Sequence, residues 1–239
     1  MNSALLIENA GATRTLTLNR PDKANALDAT LVDALAVAVE AARSDGTRLL
    51  VLKGAGRHFC AGFDFDGYES ASESDLLLRF ARIELLLQSL YHAPYATLAL
   101  AQGRNFGAGV DLVLACGGRI GAPDAQFRMP GLKFGLQLGT RRLASRIGGD
   151  AARALLAASR TFGADEALRL GFLHEIAAPD AWPARIERAA ADAQRLSAAA
   201  AARLHAATVN DTRAADLADL VRSAIEPGLK ERISEYRKS

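Results

Sequence analysis

The chain has 239 residues, half of them hydrophobic and 23% charged, with a net charge of +2 and a pI near 8.7. That length supports one large domain with a sizeable core. The small, scattered positive excess and an aromatic content of 6% exclude a nucleic-acid stripe, which needs clustered Lys/Arg with interleaved aromatics. The two cysteines, Cys60 and Cys116, sit in apolar stretches and read as buried filler, with no CxxC metal pair and no disulfide framework. Met1-Asn2-Ser3-Ala4 lacks the basic flank and apolar run of a signal peptide, and no apolar run reaches membrane length. A cytoplasmic protein with no membrane partner is expected.

Leu16 and Leu18 alternate with Thr15, Thr17 and Asn19, which predicts a half-buried strand. Asp28 is placed to cap a helix with apolar positions at Leu31, Val32, Leu35 and Val39, ended by Asp45-Gly46. Leu49–Leu52 predicts a buried strand, followed by the loop Phe59 to Gly67. Leu76 to Leu90 has helical spacing and Pro94 closes it. Ala96–Ala101 predicts another buried strand, then a loop from Gln102 to Ala108 and a buried helix from about Val110. Shorter strands are expected near Arg119–Gly121 and Ala125–Phe127. Beyond Gly139 the pattern turns helical, broken around Gly171–Ile176. The Ala-rich stretch from Trp182 predicts a helical C-terminal region, because Ala is the best helix former; Pro227-Gly228 divides its last two helices. Alternating strands and helices give an α/β class, with boundaries at 1–181 for the core and 182–239 for the helical region.

Two segments share one layout: a buried strand, a Gly/Ala-rich loop, then a turn into a helix. One carries Phe59-Cys60-Ala61-Gly62-Phe63-Asp64-Phe65, the other Gly103-Arg104-Asn105-Phe106-Gly107-Ala108-Gly109-Val110-Asp111. Small residues let a ligand approach the backbone, and a helix start points unpaired N–H groups outward. Two such ends facing one pocket would make an oxyanion hole; ordinary tight turns would share the pattern. Asp111 lies three residues past Ala108, one helical turn on, within the otherwise apolar run Val110–Leu114. A carboxylate in such a run is partnered or functional, and burial would raise its pKa into the range of a usable acid or base. Nucleotide-phosphate motifs and a GxSxG elbow are absent. His58, His92, His174 and His205 have no metal-ligand spacing. His58 adjoins the first loop but reads as packing. Arg141, Arg142 and Arg146 read as a solvated helix face.

The quoted loops resemble those of the enoyl-CoA hydratase/isomerase (crotonase) family. Asn19-Arg20-Pro21-Asp22-Lys23-Ala24-Asn25-Ala26-Leu27 is similar to its NRP-x-x-x-NAL opening. Phe59–Phe65 resembles its F-x-AG-x-D loop, and Gln102-Gly103 with Gly107–Leu112 its NG…GGG-x-[ED]-L segment. Ala125-Gln126-Phe127, Gly139-Thr140-Arg141-Arg142-Leu143, Ala164–Phe172 and Ile225–Arg237 continue the match in order. The resemblance implies a crotonase-like spiral of ββα units with a helical region used in trimer packing, hence a homotrimer or hexamer. It maps oxyanion-hole donors to the N–H groups of Phe63 and Ala108, the latter where Gly is usual. Coenzyme A or substrate contacts map to Lys23, Ala24, Ala61, Gly62, Asp64, Phe65, Asp66, Gly103, Gly107, Pro130 and Gly131. It implies no cofactor besides the coenzyme A of the substrate, and no metal.

The departures from the family pattern concern its acids. The first hydratase glutamate falls on Asp111, one methylene shorter, as in the dienoyl-CoA isomerase branch. The second falls on Gly131, which can do no proton chemistry. The loop Gly135 to Gly139 is short and lacks the acids of dienoyl-CoA isomerases and aryl-CoA dehalogenases. The expected activity is therefore acyl-CoA chemistry through an enolate with Asp111 as sole acid/base, isomerase-like rather than fast hydration. Decarboxylation, thioester hydrolysis and acyl-CoA binding with little catalysis are the alternatives.

Overall fold

The computed structural model describes residues 3–238. Met1-Asn2, read above for a targeting signal, and Ser239 lie outside the described residues. Strand β1 (Leu5–Ala10) pairs antiparallel with β2 (Thr13–Leu18). From β2 the sheet runs parallel through β3 (Leu49–Gly54), β4 (Ala96–Ala101), β6 (Gly118–Gly121) and β9 (Glu175–Ile176). A smaller sheet joins β5 (Arg104–Phe106), β7 (Gln126–Arg128) and β8 (Phe162–Gly163). Each turn of the chain adds a strand to the large sheet and returns through a helix: α1 (Ala29–Ala41), α2 (Glu73–Tyr91), α3 (Ala108–Ala115), then α4 (Thr140–Ile147), α5 (Gly149–Ala158) and α6 (Ala164–Arg169). This is the expected crotonase-like spiral.

Period-2 side-chain alternation explains why β3 reads as continuously apolar. Leu50 and Leu52 enter the main core with α1, α2 and α3, while Leu49 and Val51 enter a second cluster on the opposite face with Leu98, Leu100 and Trp182. Trp182 opens α7 (Trp182–Ala193), so the helical region begins by covering the sheet's second face. Next come α8 (Ala198–Thr208), which buries no residue, and α9 (Arg213–Ala224). Finally α10 (Leu229–Lys238) places Leu229 and Ile233 in the main core.

Two expectations need correction. The segment Gln102 to Ala108, read as a loop, contains β5, because Asn105 pairs with Phe127 and bridges to Cys60. The helix expected at Leu76 starts at Glu73, where Ser72 and Asp75 form a reciprocal capping box that satisfies two end donors.

Backbone crowding sets the spacing of the two site loops. Phe106 N–H donates to Cys60 C=O at 3.0 Å, and Leu27 bridges to Phe63. A Cβ on Gly109 would lie 2.2 Å from the Cys60 carbonyl oxygen, and one on Gly62 2.4 Å from that of Phe106. Only glycine permits this approach. Gly109→Ala is expected to cost about 3 kcal/mol in chemical denaturation. Gly149→Ala, with nothing within 4 Å of the added carbon, should be neutral or slightly stabilising.

Candidate active site

A cavity of about 110 Å³ opens where the two loops meet the start of α3. Its wall is mostly apolar, from Phe63, Phe65, Phe80 and Phe106 to Met129 and Phe134; its polar side chains are Asp111, Thr140 and Tyr236. Ala61, Gly107, Ala108, Pro130 and Gly131 also line this cavity. Gly62 packs behind the rim, against the Phe106 carbonyl and 3.2 Å from the Ala108 nitrogen, measured from an added Cβ.

The N–H of Ala108 is free of helical bonding because Ala108 is the first residue of α3. The awkward backbone falls one residue earlier, on Gly107 (φ 49°, ψ −123°), whose own N–H donates to Arg128 C=O at 2.8 Å. Ala108 itself is helical, so the replacement of the usual Gly there carries no strain. Around Phe63, Gly62 C=O accepts from Leu27 N–H, and Asp64 N–H donates to Leu27 C=O. Backbone groups alternate sides along an extended segment, so the Phe63 N–H points away from Leu27. The Phe63 ring is clamped by stacking on Phe80 at 4.2 Å and by the Arg79 guanidinium 4.3 Å from its centroid.

Other expected residues hold the loops rather than line the cavity. Asp64 is buried and ion-paired with Arg20 at 2.8 Å. Burial works against its charge, yet the Asp66 N–H and Arg20 hold its carboxyl below the usual range. Lys23 pairs with Asp66 at 2.7 Å, both exposed. Ala24, with φ 48°, accepts from Ala61 N–H. Gly103 packs under Arg57 and His58. His58 accepts from Arg104 N–H at 3.1 Å, and burial lowers its pKa. Among the described residues no three His, Cys, Asp or Glu side chains group as a metal site.

Asp111 is 1% exposed, and its Oδ1 has no hydrogen-bond partner. Burial pushes its carboxyl up to about 7; Arg142 pulls down and Glu84 pushes up. Arg142 corrects the solvated-face reading: it is 2% exposed and forms a two-pronged pair with Glu84 at 2.9 and 2.5 Å. Glu84 is also held by Gln88 at 2.9 Å. A signal existed in α2, where Glu84 stands four residues after Phe80 on the face carrying Leu76, Ile83 and Leu87. A charge on that stripe requires a buried partner. Thr140 and Tyr236 had no such signal; folding brings them from α4 and the chain's last helix.

A carboxyl whose folded pKa lies above its unfolded value is destabilising once ionised. Stability of the parent relative to Asp111→Asn should therefore fall as pH rises from about 4 to about 7, by roughly 2–4 kcal/mol, read from denaturation curves at several pH values. Glu84→Gln should remove the like charge that adds to burial in raising Asp111, and shift this window to lower pH. It should also cost about 3 kcal/mol by breaking the two-pronged pair and leaving the buried Arg142 only Asp216 at 3.8 Å.

The enoyl-CoA hydratase/isomerase family model matches residues 8–229. A "probable enoyl-CoA hydratase" of Mycobacterium bovis is 36% identical over 191 residues, covering 77% of this chain and 76% of that protein. One of Rhodobacter capsulatus is 35% identical over 204 residues, 82% and 78% of the two chains. A solved Bordetella parapertussis structure, named a "putative enoyl-CoA hydratase/isomerase", superposes with a TM-score of 0.98 at 53% identity over the whole of both chains. No helix among the described residues is long and apolar enough to cross a membrane. With its spiral fold, its paired loops and these relatives, the chain belongs to the enoyl-CoA hydratase/isomerase (crotonase) family.

Proposed function

We propose that the protein is an acyl-CoA enzyme running isomerase-like enolate chemistry with Asp111 as its single acid/base. The observation that carries this reading is the unpartnered, buried Asp111 carboxylate in an apolar cavity, one turn from Ala108. The thioester carbonyl oxygen lies between the N–H groups of Phe63 and Ala108. Asp111 removes a proton from the carbon next to the carbonyl, and the electron pair moves onto that oxygen. For a chain with a double bond one position further out, the resulting dienolate is reprotonated by Asp111 at its far end, and the double bond has moved. Each well-aimed N–H is worth about 3–4 kcal/mol of barrier. Lys23, Ala24 and the segment from Ala61 to Asp66 contact the coenzyme A portion, which enters with the substrate; no further cofactor or metal is required. Trimers or hexamers are the proposed assembly, with the exposed face of α8 available to them.

The position of the second hydratase acid supports isomerisation over hydration. Gly131 lies in the turn Gly131–Phe134, and a Cβ there would stand 2.9 Å from the Leu136 carbonyl oxygen. The turn closed by Leu136 N–H donating to Gly131 C=O leaves no space for a side chain. Gly131→Glu is therefore expected to lose stability without gaining hydration.

Turnover is to be read by mass spectrometry on a panel of enoyl-, malonyl- and aryl-CoA thioesters. The expected outcome is a shifted double bond in an enoyl-CoA. Asp111→Ala should lower that turnover by at least about 10³-fold while changing thioester affinity little. Equal turnover in the mutant would overturn the role of Asp111. Conversion of malonyl-CoA instead would identify a decarboxylase or hydrolase. Because the base must be ionised, kcat/KM should rise with pH and level off above about 7.

A further inference from the structure

Tyr236 borders two hollows at once. It lines the acyl cavity of about 110 Å³, and it also lines an outer hollow of about 320 Å³ with Lys133, Arg232 and Glu235. Its half-buried ring stands between them. The helix that carries the ring is firmly seated. Leu229 and Ile233 anchor α10 in the core, and Tyr236 follows Ile233 by three positions, on the same inner face. The ring packs on Phe134 at 5.2 Å, and Phe134 meets Phe65 edge-on at 6.4 Å. Arg232 donates to the Phe134 carbonyl at 2.9 Å. At the rim formed by the other loop, Lys230 donates to the Glu69 carbonyl at 2.6 Å and Arg237 pairs with the Glu69 carboxylate at 3.4 Å. Both sides of the cavity mouth thus hold α10, and the ring of Tyr236 has a fixed place in the wall.

We propose that Tyr236 is a specificity-determining residue: its ring ends the acyl cavity and restricts the substrates to short-chain acyl thioesters. The inference rests on the acyl-CoA reading above. With roughly 30 Å³ for each methylene-sized group, the three carbons beyond a butyryl carbonyl take ~90 Å³ and the seven of an octanoyl chain ~210 Å³. The first fits the inner cavity and the second does not. Loss of the ring joins the two hollows, and the apolar stems of Lys133 and Arg232 continue the wall.

Calorimetric titration compares butyryl-CoA with octanoyl-CoA on the parent, Tyr236→Ala, Tyr236→Leu and Tyr236→Phe. The parent should bind the short thioester more tightly. Tyr236→Ala should raise the affinity for octanoyl-CoA relative to butyryl-CoA by at least about tenfold, because the added methylenes become buried. Tyr236→Leu keeps an apolar contact with Phe134 and should move the ratio the same way, which preserves the test if the alanine variant fails to fold. Tyr236→Phe keeps the ring and should keep the parent's ratio. An unchanged ratio in the alanine and leucine variants overturns the end wall, as does a phenylalanine variant that shifts the ratio as far as alanine. If the parent binds both thioesters equally well, the end wall alone fails. If it binds neither, the acyl-CoA reading fails and the end wall with it.

Discussion

The site depends on one steric constraint: the loop after β3 lies so close to the start of α3 that no side-chain carbon fits between them. Gly62 and Gly109 face carbonyl oxygens at distances a Cβ cannot occupy. Leu27 fixes the other side of the same loop by taking the Gly62 carbonyl and the Asp64 N–H. The N–H of Phe63 is thereby turned away from Leu27, and that of Ala108 heads its helix. At the start of α3 the left-handed dihedral falls on Gly107, which allows an ordinary Ala beside it.

On that frame the electrostatics follow from burial. Asp111 sits among apolar side chains without a hydrogen-bond donor, so its charged form is disfavoured. The Glu84–Arg142 pair behind it is nearly charge-balanced, and its two members act on Asp111 in opposite directions. The carboxyl is left near neutrality by desolvation rather than by a dominant neighbour. A group poised there can both take and return a proton at ordinary pH.

Much of this was legible in the sequence. The strands at Leu49–Leu52 and Ala96–Ala101, the Asp28 cap and the Pro227-Gly228 break all lie where pattern and cap chemistry put them. Asp111 stood out as a charge in an apolar helix, and the structure buries it. What was hidden depends on long-range pairing. The short strand β5 has three residues and owes its form to Phe127 and Cys60 rather than to its own periodicity. Arg142 looks solvent-facing in its own helix, whose residues are largely polar; only the approach of α2 with Glu84 makes it a core residue. Thr140 has no local signature, because its place at the cavity comes from the turn at Gly139 meeting a side chain 28 positions earlier in the chain.

Removal of the proton next to a thioester carbonyl can be observed without knowing what the enolate becomes. Incubated in D2O with a saturated acyl-CoA, the parent should introduce deuterium at carbon 2, read by mass spectrometry, and Asp111→Ala should introduce none. A parent that binds the thioester yet exchanges nothing, or a mutant that exchanges as fast as the parent, would contradict the account.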